Sequence, residues 1–267
     1  MQSSELMAKR VVFYILTFAL IATTQSLKAE GASNENIEVN LLSQDDLKSA
    51  YEKEALPDGW EELKFKKIKS HTVYKVIDSK DSDKVFSLRA FSKASASGLV
   101  KEVRIDLKKY PVLKWKWRVG GTLVGGDATQ KSGDDYPARI YITFKYDPDS
   151  IPFWERVKYK TAKLLYGDVP ARAINYIWAN KMPLGTHRPN AYTDKVVMFA
   201  VRSGDGHKGQ WLEESRNVFN DYMKAFGTDK VPPEVVSVAI MTDTDNTGEE
   251  VESYYKDIVF TEVDLDN

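Results

Sequence analysis

A chain of 267 residues with 38 Lys and Arg against 39 Asp and Glu has a formal charge of -1, so no basic surplus draws it to nucleic acid. With no Cys, disulfides, thiol catalysis, iron–sulfur clusters and sulfur-ligated zinc are excluded, and three scattered histidines (His71, His187, His207) do not make an all-histidine metal site. Any bound metal would be a hard ion held by oxygen, such as calcium. Aromatic residues make up 12% of the chain; they either fill a β core or supply a stacking surface for sugars or peptides.

Lys9 and Arg10 precede the apolar run Val11–Ala22, and Ser26-Leu27-Lys28-Ala29 places a small residue before Glu30. This reads as a secretory signal peptide over residues 1–29, with retention as an anchor the alternative, because Leu27 and Lys28 fit a cleavage site imperfectly. The run is too short for a comfortable membrane span, so no stable span is expected after processing. Residues 30–55 read as a flexible polar segment with a short helix or loop over Leu41–Ala50. Residues 56–267 are expected to form a single β-sandwich domain.

From Trp60 the strand signals come quickly: Trp60–Phe65, Thr72–Ile77, Val85–Phe91, Leu99–Leu107 and Leu113–Val119. In the last of these Leu113, Trp115, Trp117 and Val119 share a core face, whereas Lys114, Lys116 and Arg118 share a wet one. A loop over Gly120–Gly133 leads to Asp134-Asp135 and the strand Ala138–Tyr146, in which Arg139 and Tyr141 face away from Ala138, Ile140, Ile142 and Phe144. Pro152–Gly167 changes period and predicts an inserted basic amphipathic helix. Asn175–Ala179 and Lys195–Arg202 are strands, separated by a Pro/Gly loop over Pro183–Asn190. Gln210–Phe226 predicts one long helix from apolar residues at three- and four-residue spacing, closed by Gly227.

The stretch Val235–Phe260 organises the rest. A buried strand breaks into Asp243-Thr244-Asp245-Asn246-Thr247-Gly248, and a second strand follows from Tyr254. Asp-x-Asp-x-Thr-Gly copies the first half of a calcium loop, but Tyr254 stands where a bidentate Glu belongs, so this is no EF-hand. Asp243, Asp245 and Thr247 either hold calcium with help from neighbouring carbonyls, cap their own turn, or pair with an Arg such as Arg202 or Arg216. About ten strands and two helices without strand–helix alternation predict a mainly β fold, an antiparallel β-sandwich or jelly roll.

Several segments together carry a resemblance: Ala96-Ser97-Gly98-Leu99, Pro111 to Trp117, Asp134-Asp135-x-Pro-x-Arg139-x-Tyr141, Tyr176-x-Trp178 and Val201-Arg202-Ser203-Gly204, continued by Trp211-x-x-Glu214-x-Arg216-Asn217-Val218-x-x-Asp221-Tyr222, Phe226-Gly227 and Asp243-x-Asp245-x-Thr247. The set resembles the bacterial family known as domain of unknown function 3047, over roughly Leu56 to Phe260. The resemblance implies an exported or periplasmic protein of Gram-negative bacteria and transfers no catalytic role. Its general look is similar to galactose-binding-like carbohydrate-binding β-sandwiches, which is an analogy of fold alone.

No Gly-x-Ser-x-Gly elbow, phosphate loop or dinucleotide fingerprint occurs. Carboxylate chemistry is what remains for an enzyme: Asp134 or Asp135 with Glu214 or Asp221 would be the acid and base of a polysaccharide hydrolase, with Tyr and Arg serving a lyase instead. The competing expectation is a non-catalytic binder of a glycan or envelope polymer. Its cleft would be built from Arg139, Tyr141, Trp178, Arg202, Glu214, Arg216 and Asn217. A third is an envelope assembly or scaffold protein with no small ligand.

Overall fold

The computed structural model describes residues 38–65, 68–79, 85–146 and 172–262. Its strands are β1 (Glu38–Leu42), β2 (Trp60–Lys64), β3 (Val73–Ser79), β4 (Val85–Lys93), β5 (Ala96–Ile105), β6 (Val112–Val119) and β7 (Ala138–Phe144). They continue with β8 (Arg172–Ala179), β9 (His187–Asn190), β10 (Thr193–Ser203), β11 (Leu212–Asn217), β12 (Val235–Asp243) and β13 (Glu250–Thr261). Two helices, α1 (Gln44–Glu52) and α2 (Val218–Phe226), complete the described elements apart from a 3-10 turn at Lys131–Gly133.

The strands form two sheets. One is six-stranded in the order β11-β6-β13-β4-β3, with β1 also on β13; the other is seven-stranded in the order β2-β5-β12-β7-β8-β10-β9. Pairing is antiparallel except between β8 and β10, which run parallel because the chain passes through β9 before β10 returns between them. The mainly β, two-sheet fold anticipated from the alternation is therefore present.

Period-two alternation makes the core. Leu113, Trp115, Trp117 and Val119 of β6 join Ala138, Ile140 and Ile142 of β7, Tyr176 and Trp178 of β8, Val238 and Ile240 of β12, and Tyr255, Ile258 and Phe260 of β13 in one buried cluster. Each fully buried aliphatic side chain there contributes roughly 1.5–3 kcal/mol. The Trp115 ring lies at right angles to Trp117 at 5.3 Å and stacks on Tyr176 at 5.4 Å. In β13, Asp257 adopts φ 53° at a bulge, and Gln44 of α1 donates from Nε2 to its carboxylate at 2.9 Å.

Three expectations change. Residues 38–55, expected within a flexible segment, are built into the fold: β1 pairs with β13, and α1 starts from a capping box between Ser43 and Asp46, with Leu41, Leu42 and Leu47 buried. The long helix over Gln210–Phe226 is a strand in its first half, because Leu212–Asn217 pairs along β6; only Val218–Phe226 is helical, capped by Asn217 and ended by Gly227 in the left-handed region. Part of the loop predicted over Pro183–Asn190 is β9, an edge strand on β10. The inserted basic helix at Pro152–Gly167 and the signal segment lie outside the described residues.

Candidate functional site

The expected cleft is divided by the seven-stranded sheet. Ala138 lies opposite Trp178 and Arg139 opposite Ile177, so alternation puts Trp178 on the core face and Arg139 with Tyr141 on the outer face. Arg202, opposite Trp178, shares the core side. The grouping of Arg139 and Tyr141 with Trp178, Arg202, Glu214 and Arg216 is thus corrected to two separate clusters. Pairing Asp134 or Asp135 with Glu214 or Asp221 as acid and base is corrected with it, because these carboxylates sit on opposite faces of one sheet.

On the core side, Glu214 accepts from Arg202 Nε at 2.6 Å, from Arg202 Nη2 at 3.1 Å and from Trp117 Nε1 at 2.9 Å. Arg216 forks onto Asp221 at 2.9 and 2.6 Å, and the Tyr176 hydroxyl donates to the same carboxylate at 2.8 Å. Trp178 Nε1 donates to the Gly204 carbonyl at 3.0 Å. Asn217 is occupied as the helix cap, its side chain accepting from Asn220 N. These groups close the sandwich edge where β11 flanks the aromatic column, each buried acid matched to one guanidinium.

The outer face gathers what the two acidic segments offer. Arg139, 2% exposed, donates from Nε to Asp243 at 2.8 Å and from Nη1 to the Tyr141 hydroxyl at 3.0 Å. Its Nη2 binds both Asp243 and the Asp134 carbonyl, and its guanidinium lies 4.4 Å over the Tyr136 ring. Asp134 accepts from Asn190 Nδ2 at 3.0 Å. Asp135 accepts from Asn246 N at 3.0 Å, Asn246 Nδ2 at 2.9 Å and Thr247 N at 2.7 Å. Two loops more than 100 residues apart are locked together in this way.

One carboxylate oxygen from each of Asp135, Asp243 and Asp245 lies within 4.8 Å of the others. This buried triad could hold a hard metal ion. Asp135, expected only as a catalytic candidate, takes the place expected for Thr247, which turns its backbone N–H rather than an oxygen toward the group.

The electrostatics follow from the numbers of charges. Four carboxylates, Asp134, Asp135, Asp243 and Asp245, surround the single guanidinium of Arg139 among the described residues. Burial opposes the charge on Arg139, yet Asp243 and Asp134 hold it protonated. Burial pushes Asp243 and Asp134 upward, with Arg139 opposing. Asp245 is pushed up to about 6, by burial first and then by Asp135.

The unfolded value is about 3.9, so the folded state holds the extra proton between about pH 4 and 6, and stability through Asp245 falls as pH rises across that window. In chelator, melting temperature is expected to rise on going from pH 7.5 to 5, and Asp245→Asn should flatten that rise. An unchanged slope in the variant would refute the assignment.

A third surface escaped the sequence reading. On the outer face of the six-stranded sheet, Lys75 lies opposite Arg89, Arg89 opposite Tyr254 and Tyr254 opposite Arg118. Arg118 sits between two rings, 4.1 Å from the Tyr254 centroid and 5.3 Å from that of Trp211. Lys256 Nζ lies 4.4 Å from the Trp211 ring, and Arg89 lies 5.2 Å from that of Phe91 while pairing with Glu252 at 2.8 Å. Phe91, Trp211 and Tyr254 are half-buried. The alternation of Lys114, Lys116 and Arg118 was the available signal; Trp211, expected inside a helix, hid the rest.

The chain belongs to the family described as Protein of unknown function (DUF3047), whose model matches residues 58–259. No curated protein matches the sequence. Among solved structures it is similar to the family 11 carbohydrate-binding module of the cellulase Lic26A-Cel5E of Clostridium thermocellum, at 9% identity over 77% of this chain and 88% of that one, TM-score 0.38. It is also similar to the module CBM27-1 of Caldicellulosiruptor saccharolyticus in complex with mannohexaose, at 10% identity over 84% and 96%, TM-score 0.38. A thermostable cellulase derived from Cel12A of Rhodothermus marinus matches at 13% identity over 83% and 98%, TM-score 0.37. Likenesses this weak carry no information on ligand or activity.

Proposed function

We propose that this is an exported, periplasmic protein that binds an acidic glycan or envelope polymer across the outer face of the six-stranded sheet. The observation that supports it most is the row Lys75, Arg89, Tyr254 and Arg118 ending at Trp211. Half-buried rings offer flat apolar faces to sugar rings, and arginine forks suit carboxylate or phosphate. Lys75, Lys114, Arg118 and Lys256 make no ion pair among the described residues, so this face has cations to spare on a chain of net charge -1.

Export is supported by Lys9 and Arg10 before a short apolar run. No helix among the described residues is long and apolar enough to cross a membrane.

Calorimetry with polygalacturonate, alginate and neutral dextran tests the binding. The acidic polymers should bind, with affinity falling as salt is raised, and dextran should not. Equal affinity for all three, or none, would overturn the reading. Intact mass of the exported protein should correspond to a start near Glu30, and a retained N-terminus would refute the leader.

The same reading places calcium among Asp135, Asp243 and Asp245, supported by the surplus of carboxylates over guanidinium. Millimolar calcium should raise the melting temperature by mass action, and Asp245→Asn should remove the effect. A melting curve indifferent to calcium and to chelator would leave the three acids as a loop clasp.

A further inference from the structure

The outer face of the seven-stranded sheet is sealed along a row that no described helix or strand covers. Across four neighbouring strands Ser237 lies opposite Thr143, Thr143 opposite Ala173 and Ala173 opposite Val196. In a single chain these side chains are 8%, 4%, 0% and 4% exposed. The row continues on β5 to Glu102, opposite Ser237, and there the burial ends, because Glu102 is exposed. Neither helix lies over the row: α1 packs on β3, β4 and β13, and α2 packs on β6, β8 and β11 from the core side, where Tyr222 meets Phe144. The loop that carries Tyr136 packs with Ile177, Met198 and Ala200, nearer the other end of β8 and β10. Leu63, Phe65 and Ile68 belong to the β2 edge, four strand places from β8.

We infer that this row is the docking surface for residues 147–171 of the same chain. Phe144 of β7 lies opposite Arg172 of β8, so these 25 residues leave and re-enter the sheet at neighbouring points, beside Thr143 and Ala173. The burial is centred on the two strands that the segment connects and fades at β5. The other stretches outside the described residues do not fit: residues 1–37 lead into β1 on the opposite sheet, and 66–67, 80–84 and 263–267 are too short to span four strands. Side-chain sizes match as well. The row consists of short side chains, which leaves room for large apolar ones from a covering layer. Phe153, Val157 and Leu164 recur at four- and seven-residue spacing and supply them. The row spans three strand spacings, about 14 Å, and the helix that the sequence predicts over Pro152–Gly167 would be about 24 Å long, enough to cross it.

The chain has no Cys, so engineered disulfides in the full chain report proximity without background. Ser237→Cys keeps the native shape. Combined in turn with a single Cys at each position from 151 to 166, it should yield internal disulfides on mild oxidation, at positions recurring every three or four residues. Thr143→Cys is a second anchor on the same row and carries the test if the Ser237 variants do not fold. Ser215→Cys, exposed on the outer side of the six-stranded sheet, should yield none with the same partners. Disulfides that form only between copies would give the surface to a second chain and overturn the proposal. So would no disulfide from either anchor, or as many from Ser215 as from Ser237. Polymer binding plays no part in the readout, so this result and the reading of the six-stranded face stand or fall separately.

Discussion

Arg139→Met is expected to be the most destabilising single change in the molecule, at about 3–5 kcal/mol, because it leaves the buried carboxylates of Asp243 and Asp134 with no cation. The urea midpoint at pH 7.5 should fall accordingly. Part of the loss should return at pH 5, where protonation neutralises the stranded acids. Arg139→Lys should not rescue it, since one ammonium cannot reach Asp243, the Asp134 carbonyl and the Tyr141 hydroxyl together. Combining Arg139→Met with Asp243→Leu should recover much of the stability by removing both charges. A loss of unfolding free energy under about 0.5 kcal/mol for the single variant would mean the guanidinium is not the keystone of the two loops.

On the opposite sheet, Trp211→Ala and Tyr254→Ala should each weaken acidic-polymer binding at least tenfold, about 1.4 kcal/mol or more apiece, because central aromatic contacts dominate binding energies of this kind. Arg118→Glu should abolish binding outright by setting a like charge against the ligand. All three side chains are half-buried, so melting temperatures should move little. Polymer affinities within twofold of the parent would remove this face from consideration.

What could be read from the sequence depended on whether burial was apolar. Strands β6, β7 and β12 advertised themselves because their inward residues are Leu, Ile, Val and Trp, and the outward orientation of Arg139 and Tyr141 followed from alternation. Strand β11 did not, because the inward residue at its centre is Glu214, buried by virtue of Arg202 and Trp117. A paired charge inside a sandwich looks like a solvated one in the sequence. The same blindness joined Arg139 to Arg216: alternation assigns a face within one strand, but which strands adjoin is set by long-range pairing. Asp135 was legible as an acid and not as a neighbour of Asp243, because their meeting requires β7 to pair with β12.

The consecutive strands β12 and β13 cross from one sheet to the other and lie inside both: β12 sits between β5 and β7, and β13 between β6 and β4, while also holding β1. A chain that has delivered only its first 234 residues therefore owns the flanks of both sheets and the centre of neither. Contacts of such long sequence separation are slow to form, so completion of both sheets is expected to wait for the last two strands. The two sheets then acquire their centres together, from two consecutive strands joined by one loop that crosses the sandwich.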